Sequence, residues 1–148
     1  MARLWPKSCS LKDPMTVRPV SKRHILVVDD EPLVCETVTM LLQMDGHRVA
    51  CANSAPQALA LFESGNFDLV ITDFFMPAMT GGDLAAAIKT RAPGQPVLLL
   101  TAYAERFRSP HRTLTGIDLV MDKPFALEVL RDAISTLAPG PKPGVHPV

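Results

Sequence analysis

Short runs of apolar residues alternate along the chain with longer stretches in which apolar residues recur every three or four positions. The runs are typical of strands buried on both faces of a sheet, and the spaced stretches are typical of helices with one buried face. Strand and helix alternate five times, which predicts an α/β fold with a doubly wound, five-stranded parallel sheet and helices on both faces. The predicted strands cover residues 25–28, 47–52, 68–72, 97–100 and 119–121.

Four of the helices can be delimited from the same pattern. Pro32 suits the first turn of the first helix, and Ser54 is a candidate cap for the second. Gly46 and Gly65 are placed to end these two helices. Two more helices are predicted over residues 83–91 and 125–137. The predicted buried residues of the first and last helices are Leu33, Val34, Val38, Leu41 and Leu42, and Val129, Leu130, Ala133 and Ile134.

Length and composition predict one globular domain between two tails. The chain has 148 residues, of which 47% are hydrophobic and 20% are charged, enough for one substantial core. Residues 1–23 hold six lysines and arginines against one aspartate and lack periodicity, which predicts a disordered basic lead. The domain should cover residues 24–138, followed by a Pro-rich tail over 139–148. Because the whole chain has zero net charge, the domain is acidic, which argues against a nucleic-acid partner.

The cysteines and the hydropathy pattern predict a cytoplasmic location. The three cysteines are odd in number and lack C-x-x-C spacing, so Cys35 and Cys51 are interpreted as separate small buried residues in a reducing compartment. The chain has no run of 18 apolar residues, and the N-terminal segment has no continuous apolar core of a secretory signal. No membrane partner is therefore expected.

Aspartate, threonine and lysine residues lie at the carboxyl ends of four predicted strands. Asp29 and Asp30 follow the first strand, Asp73 the third, Thr101 the fourth and Lys123 the fifth. In a parallel sheet these ends lie on one edge, so three carboxylates, a hydroxyl and an ammonium should converge there. The second strand ends in residues 52–53, to which no role in the site is assigned.

Such a cluster needs a cation and is equipped to react with phosphorus. Two unit charges at 4 Å repel by about 4 kcal/mol at an effective dielectric near 20. Lys123 neutralises one carboxylate, and Mg²⁺ is the natural complement of the rest because it accepts few protein oxygens and keeps room for a phosphate oxygen. Asp73 would attack phosphorus, while Lys123 and Thr101 would stabilise the oxygens of the transferred group.

The motifs around these residues resemble the receiver domain of two-component response regulators, including the chemotaxis regulators. The resemblance covers about residues 24–137. It rests on Val-Val-Asp29-Asp30-Glu31, Ile-Thr-Asp73-Phe-Phe-Met-Pro, Leu-Leu-Thr101-Ala and Asp-Lys123-Pro-Phe.

The resemblance implies a flavodoxin-like strand order 2-1-3-4-5 and a role in two-component signal transduction or a phosphorelay. A sensor histidine kinase or a histidine phosphotransfer protein would donate a phosphoryl group to Asp73, giving a 4-aspartylphosphate that changes binding to an unknown downstream protein. Asp29 and Asp30 would hold Mg²⁺ together with Asp73 and the Phe75 backbone carbonyl, and the bond from Lys123 to Pro124 would be cis. The protein would be a single-domain regulator, not an enzyme beyond its own phosphorylation and dephosphorylation.

Two departures from the family pattern leave alternatives open. Val120 stands where receivers usually carry an aromatic residue, and Pro110 falls inside the helix expected between residues 105 and 115. A phosphorylation-independent interaction module is therefore one alternative. A second is a phosphatase with an aspartate nucleophile, although such enzymes usually place another acid two residues after the nucleophile, where this chain has Phe75.

Overall fold

The computed structural model describes residues 22–108 and 114–139. They form alternating strands and helices, as the apolar pattern predicts. The strands are β1 (His24–Val28), β2 (Arg48–Ala52), β3 (Leu69–Thr72), β4 (Val97–Thr101) and β5 (Leu119–Asp122). The helices are α1 (Pro32–Met44), α2 (Ala55–Ser64), α3 (Gly81–Arg91), α4 (Glu105–Arg108) and α5 (Leu127–Leu137). No helix within the described ranges has the length and apolar character needed to cross a membrane.

The five strands form one sheet in the order β2-β1-β3-β4-β5, and every neighbouring pair is parallel. This confirms the predicted α/β fold and the strand order that the family resemblance implies. Strands β1, β3 and β4 are almost wholly buried, whereas β2 at the edge is more exposed. Because all strands run in the same direction, their carboxyl ends share one edge of the sheet.

Two layers of apolar side chains cover the faces of the sheet. On one face, α1 and α5 pack through Val38, Leu42 and Leu130. On the other face, α2 and α3 pack through Phe62, Leu84 and Ile88. Alternate residues of each buried strand point into opposite layers, which is why these strands are apolar throughout rather than alternating.

Local capping fixes where α2 and α3 begin. The Ser54 hydroxyl accepts a hydrogen bond from the backbone N–H of Gln57, as the sequence predicts. Thr80 and Asp83 form a reciprocal capping box at the start of α3, in which each side chain accepts from the other residue's backbone N–H. This box starts α3 at Gly81, two residues before the predicted start.

Two residues predicted to be buried are exposed. Leu33 is 77% exposed, because at 100° per residue it lies roughly 200° around the helix from Cys35, on the side of α1 opposite the stripe that packs on the sheet. Val129 is 52% exposed at the margin of the buried face of α5, beside the edge strand β5. The prediction was wrong at both positions, although the same spacing correctly predicted that Val38 and Leu130 are buried, because a single apolar residue away from the centre of the buried face can remain exposed.

The two cysteines within the described ranges are joined, which corrects their interpretation as separate residues. Cys35 on α1 and Cys51 on β2 form a disulfide, with Cα atoms 6.4 Å apart. They are 16 residues apart in sequence, and only the packing of α1 over β2 brings them together. The cysteines therefore no longer support the inference of a reducing compartment.

Several sequence predictions lie outside the described residues. They include most of the lead, the tail from residue 140 onward and Pro110, so the predicted domain boundaries remain predictions. Arg23, at the end of the predicted lead, is buried, and its Nε donates to the backbone oxygen of Ala138 at 2.6 Å. This hydrogen bond joins the beginning of β1 to the end of α5.

Candidate functional site

The carboxyl edge of the sheet gathers the predicted acidic residues. One carboxylate oxygen from each of Asp29, Asp30 and Asp73 lies within 4.8 Å of the others. Asp29 and Asp30 follow β1, and Asp73 follows β3, the neighbouring strand. The three residues are brought together by strand order, since β1 and β3 are adjacent although more than 40 positions separate them in the chain.

Lys123 connects two of the three carboxylates. Its Nζ lies 2.6 Å from Asp29 Oδ2 and 3.5 Å from Asp73 Oδ2. The second oxygen of each carboxylate accepts a backbone N–H: Asp29 Oδ1 from Glu31 at 2.9 Å, and Asp73 Oδ1 from Phe74 at 2.8 Å. Asp73 Oδ2 therefore faces the ammonium group, while its partner oxygen is held by the backbone.

The electrostatics of the pocket leave an excess of negative charge. Burial raises the pKa of Asp73, and the nearby charge of Lys123 offsets only part of this effect. Burial acts to lower the pKa of Lys123, but its hydrogen bond to Asp29 and the charge of Asp73 outweigh it, so this pKa is raised. The three clustered carboxylates thus have one ammonium among them, which contacts two, and these hard oxygen donors fit a divalent cation such as Mg²⁺.

Thr101 and the loop after β5 lie at the same edge. Thr101 is fully buried, and its hydroxyl accepts the backbone N–H of Tyr103 at 3.3 Å. The backbone N–H of Lys123 donates to the Thr101 carbonyl at 3.0 Å, which fixes Lys123 relative to β4. The bond between Lys123 and Pro124 is cis, as the family resemblance implies.

The start of α3 supports the backbone of the central aspartate. The N–H of Gly81 donates to the Phe74 carbonyl at 2.8 Å. A Cβ atom at Gly81 would overlap the carbonyl oxygen of Asp73 and approach the Phe74 Cα at 3.0 Å. Gly81 is not among the residues predicted for the site, and the structure shows that its lack of a side chain lets α3 approach the strand end closely.

The end of β2 also contributes to the site, which corrects the interpretation that assigned it no role. The Asn53 side-chain amide donates from Nδ2 to the backbone oxygen of Asp29 at 3.0 Å. Nothing in the sequence around Asn53 signals this contact, because asparagine before a helix cap is common in ordinary turns.

Four aromatic side chains pack against one another beside the segment that follows Asp73. The ring centroids of Phe75 and Tyr103 are 5.1 Å apart in an edge-to-face arrangement, and Phe74 lies 4.9 Å from Phe75 and 4.6 Å from Phe107. Phe75 is 43% exposed. These four rings connect the residues after Asp73 to α4, whereas Val120 on β5 is a half-buried aliphatic residue.

The family model for the response regulator receiver domain matches residues 25–135, which include the whole acidic pocket. Among curated proteins, the chain is 36% identical to the chemotaxis protein CheY of Pseudomonas aeruginosa, over 76% of this chain and 94% of that protein. It is also 36% identical to the response regulator protein FleR of the same organism, over 81% of this chain. The chain spans only 25% of the length of FleR.

Solved structures agree with the sequence comparison. The fold is similar to that of the response regulator protein TrrA of Thermotoga maritima, with a TM-score of 0.71 and 34% identity. The similarity covers 78% of this chain and 98% of that chain. The TrrA structure was determined in complex with Mg²⁺ and BeF.

Proposed function

The chain belongs to the response regulator receiver domain family of two-component systems. We propose that it is a switch or relay module that is phosphorylated on Asp73. The observation that carries the proposal is the position of Asp73 Oδ2, 3.5 Å from the ammonium of Lys123 and beside two further carboxylates. A carboxylate in such a place has a fixed positive charge next to the atom that would attack phosphorus.

In the proposed reaction, Asp73 Oδ2 forms a bond to phosphorus while the phosphorus–nitrogen bond of a phosphohistidine breaks. The imidazole of the donor leaves with the electron pair. Lys123 would stabilise the negative oxygens of the transferred group, and the Thr101 hydroxyl would donate a hydrogen bond to one of them. Mg²⁺ held by Asp30 and Asp73, with Asp29 and the Phe75 carbonyl, would supply the positive charge that lets these anionic groups approach.

The phosphoryl donor is a sensor histidine kinase or a histidine phosphotransfer protein, and the phosphorylated form binds a downstream protein differently from the free form. A cytoplasmic location and the absence of nucleic acid from the partners remain predictions from the sequence. Beyond its own phosphorylation and dephosphorylation, the domain is proposed to catalyse no reaction.

Acetyl phosphate tests the proposal without the kinase. Incubation with acetyl phosphate and Mg²⁺, followed by intact-mass measurement, should add one phosphoryl group. A protein that gains no mass but still binds a partner would instead be the phosphorylation-independent interaction module. Steady turnover of a phosphate ester would favour the phosphatase alternative, which the position of Phe75 two residues after Asp73 argues against.

Removing Asp30 should abolish the response of the fold to Mg²⁺. An ion that binds only the folded state raises stability by about 2.7 kcal/mol at one hundred times its dissociation constant. The Asp30→Ala variant loses one of the three clustered carboxylates, so its melting temperature should no longer rise with Mg²⁺. Differential scanning calorimetry over a Mg²⁺ series measures this, and a rise equal to that of the wild type would remove Asp30 from the metal site.

The aromatic pair at the pocket should make the phosphorylated form long-lived. Hydrolysis needs a water molecule behind the phosphorus, and the rings of Phe75 and Tyr103 tend to exclude it. A tenfold change in rate corresponds to about 1.4 kcal/mol in barrier, so modest changes in water access are measurable. The Phe75→Asn variant, which offers a group able to orient water, should shorten the half-life several-fold while leaving Mg²⁺ binding unchanged. Decay of the phosphoryl mass over time gives the half-life, and an equal or longer value contradicts the shielding role.

A further inference from the structure

Asn53 lies between helix α2 and the first residue of the acidic pocket. Its side-chain Nδ2 donates to the Asp29 carbonyl oxygen at 3.0 Å. Its own backbone N–H donates to Gln57 Oε1, on the first turn of α2, at 2.9 Å. Asn53 is thus held by α2 on one side and holds the backbone of Asp29 on the other.

The side-chain amide of Asn53 replaces a backbone hydrogen bond that would otherwise join the ends of β1 and β2. Strands β1 and β2 pair in parallel with Val28 opposite Ala52, and the N–H of Asp29 donates to the Ala52 carbonyl at 3.1 Å. In a continuing parallel ladder the Asp29 carbonyl would next accept the N–H of Ser54. Ser54 is the cap of α2, where the chain turns away from the sheet, so the side chain of Asn53 satisfies the carbonyl instead.

This carbonyl belongs to the peptide group that joins Asp29 to Asp30. A peptide is planar, so fixing the direction of its C=O also fixes the position of the next Cα atom. The orientation of this peptide therefore helps to set where Asp30, whose Cα it positions, presents its carboxylate beside that of Asp29.

We propose that Asn53 is a positioning residue for the metal site, acting through the peptide between Asp29 and Asp30. The inference deepens the proposed function and rests on it, since it concerns the proposed Mg²⁺ site. The Asp29 carbonyl needs a hydrogen-bond donor at the position of Asn53 Nδ2. An aspartate has the same shape as asparagine but carries only acceptor oxygens, and an alanine has no polar side-chain atom.

Mg²⁺ titration by isothermal calorimetry tests the inference on four proteins: the wild type, Asn53→Ala, Asn53→Asp and Ser54→Ala. Loss of a group that orients metal ligands typically weakens binding by roughly tenfold or more, and both Asn53 variants should show at least that loss. Ser54→Ala is the matched control, because it removes the cap of α2 in the same loop without touching Asp29. It should lower the melting temperature and leave the dissociation constant of Mg²⁺ within twofold of the wild type.

The rate of phosphorylation by acetyl phosphate gives a second measurement. In Asn53→Ala the Mg²⁺ concentration for half-maximal rate should rise roughly tenfold, and added Mg²⁺ should recover the rate. A purely structural loss would not be recovered in this way. The inference is overturned if either Asn53 variant binds Mg²⁺ as the wild type does, or if Ser54→Ala weakens binding equally. A wild type that does not bind Mg²⁺ overturns the proposed metal site and this inference together.

Discussion

Replacing Asp73 with asparagine should abolish phosphorylation by acetyl phosphate. Asparagine keeps the shape of Asp73 but replaces its charged carboxylate with a neutral amide. The oxygen that lies 3.5 Å from Lys123 is thereby lost as a nucleophile. With the nucleophile removed, no phosphoryl mass should appear at any Mg²⁺ concentration. The loss is expected to be complete rather than partial, because neither neighbouring carboxylate can replace Asp73 as the nucleophile. Asp29 is paired with Lys123, and Asp30 is a proposed ligand of Mg²⁺.

A second aspartate on the same strand segment provides the control. Asp68 directly precedes β3, at the amino ends of the strands and away from the pocket. Its side chain accepts a hydrogen bond from the backbone N–H of His24 at 2.8 Å. Asp68→Asn changes the net charge by the same amount and should be phosphorylated as the wild type is. Intact-mass measurement of both variants distinguishes the two sites. A phosphoryl mass that persists in Asp73→Asn would move the acceptor to another residue.

Replacing Gly81 with alanine should destabilise the domain and distort the site. The added Cβ would overlap the Asp73 carbonyl oxygen, so either α3 or the end of β3 must move. Overpacking typically costs about 1–3 kcal/mol, and the overlap with a backbone oxygen puts this substitution at about 3 kcal/mol, which corresponds to a melting temperature lower by roughly 10 °C in a domain of this size. Because the displaced carbonyl belongs to Asp73 itself, phosphorylation should also slow at temperatures where the variant is folded.

Gly94 is the matched control for this substitution. A Cβ atom at Gly94 has no neighbouring atom within 4 Å, so Gly94→Ala should change the melting temperature little and leave phosphorylation intact. Thermal unfolding followed by circular dichroism compares the two variants. If both behave alike, the close approach between α3 and Asp73 does not determine the stability of the site.

Much of the architecture was predictable because it depends on local patterns. Apolar runs located all five strands to within two residues, and Ser54 and Gly65 marked the two ends of α2. The order of the strands could not be predicted from these local patterns. It came from the resemblance to receiver domains, since periodicity does not say which strands are neighbours.

The acidic pocket was predictable for a related reason. In a parallel sheet, every strand carries its last residue to the same edge, so polar residues that follow buried runs converge wherever the strands lie. This rule was enough to bring Asp29, Asp30, Asp73 and Lys123 together before any distance was known.

Spacing along the chain was therefore sufficient to predict the element order, the buried strands and the residues at the carboxyl ends of the strands. Only tertiary packing shows that Leu33 of α1 is exposed and that Cys35 is joined to Cys51. It also placed Asn53 on the Asp29 carbonyl and Gly81 against that of Asp73. Each of these contacts depends on how a helix or loop sits on the sheet, and this position is set by packing between residues distant in sequence.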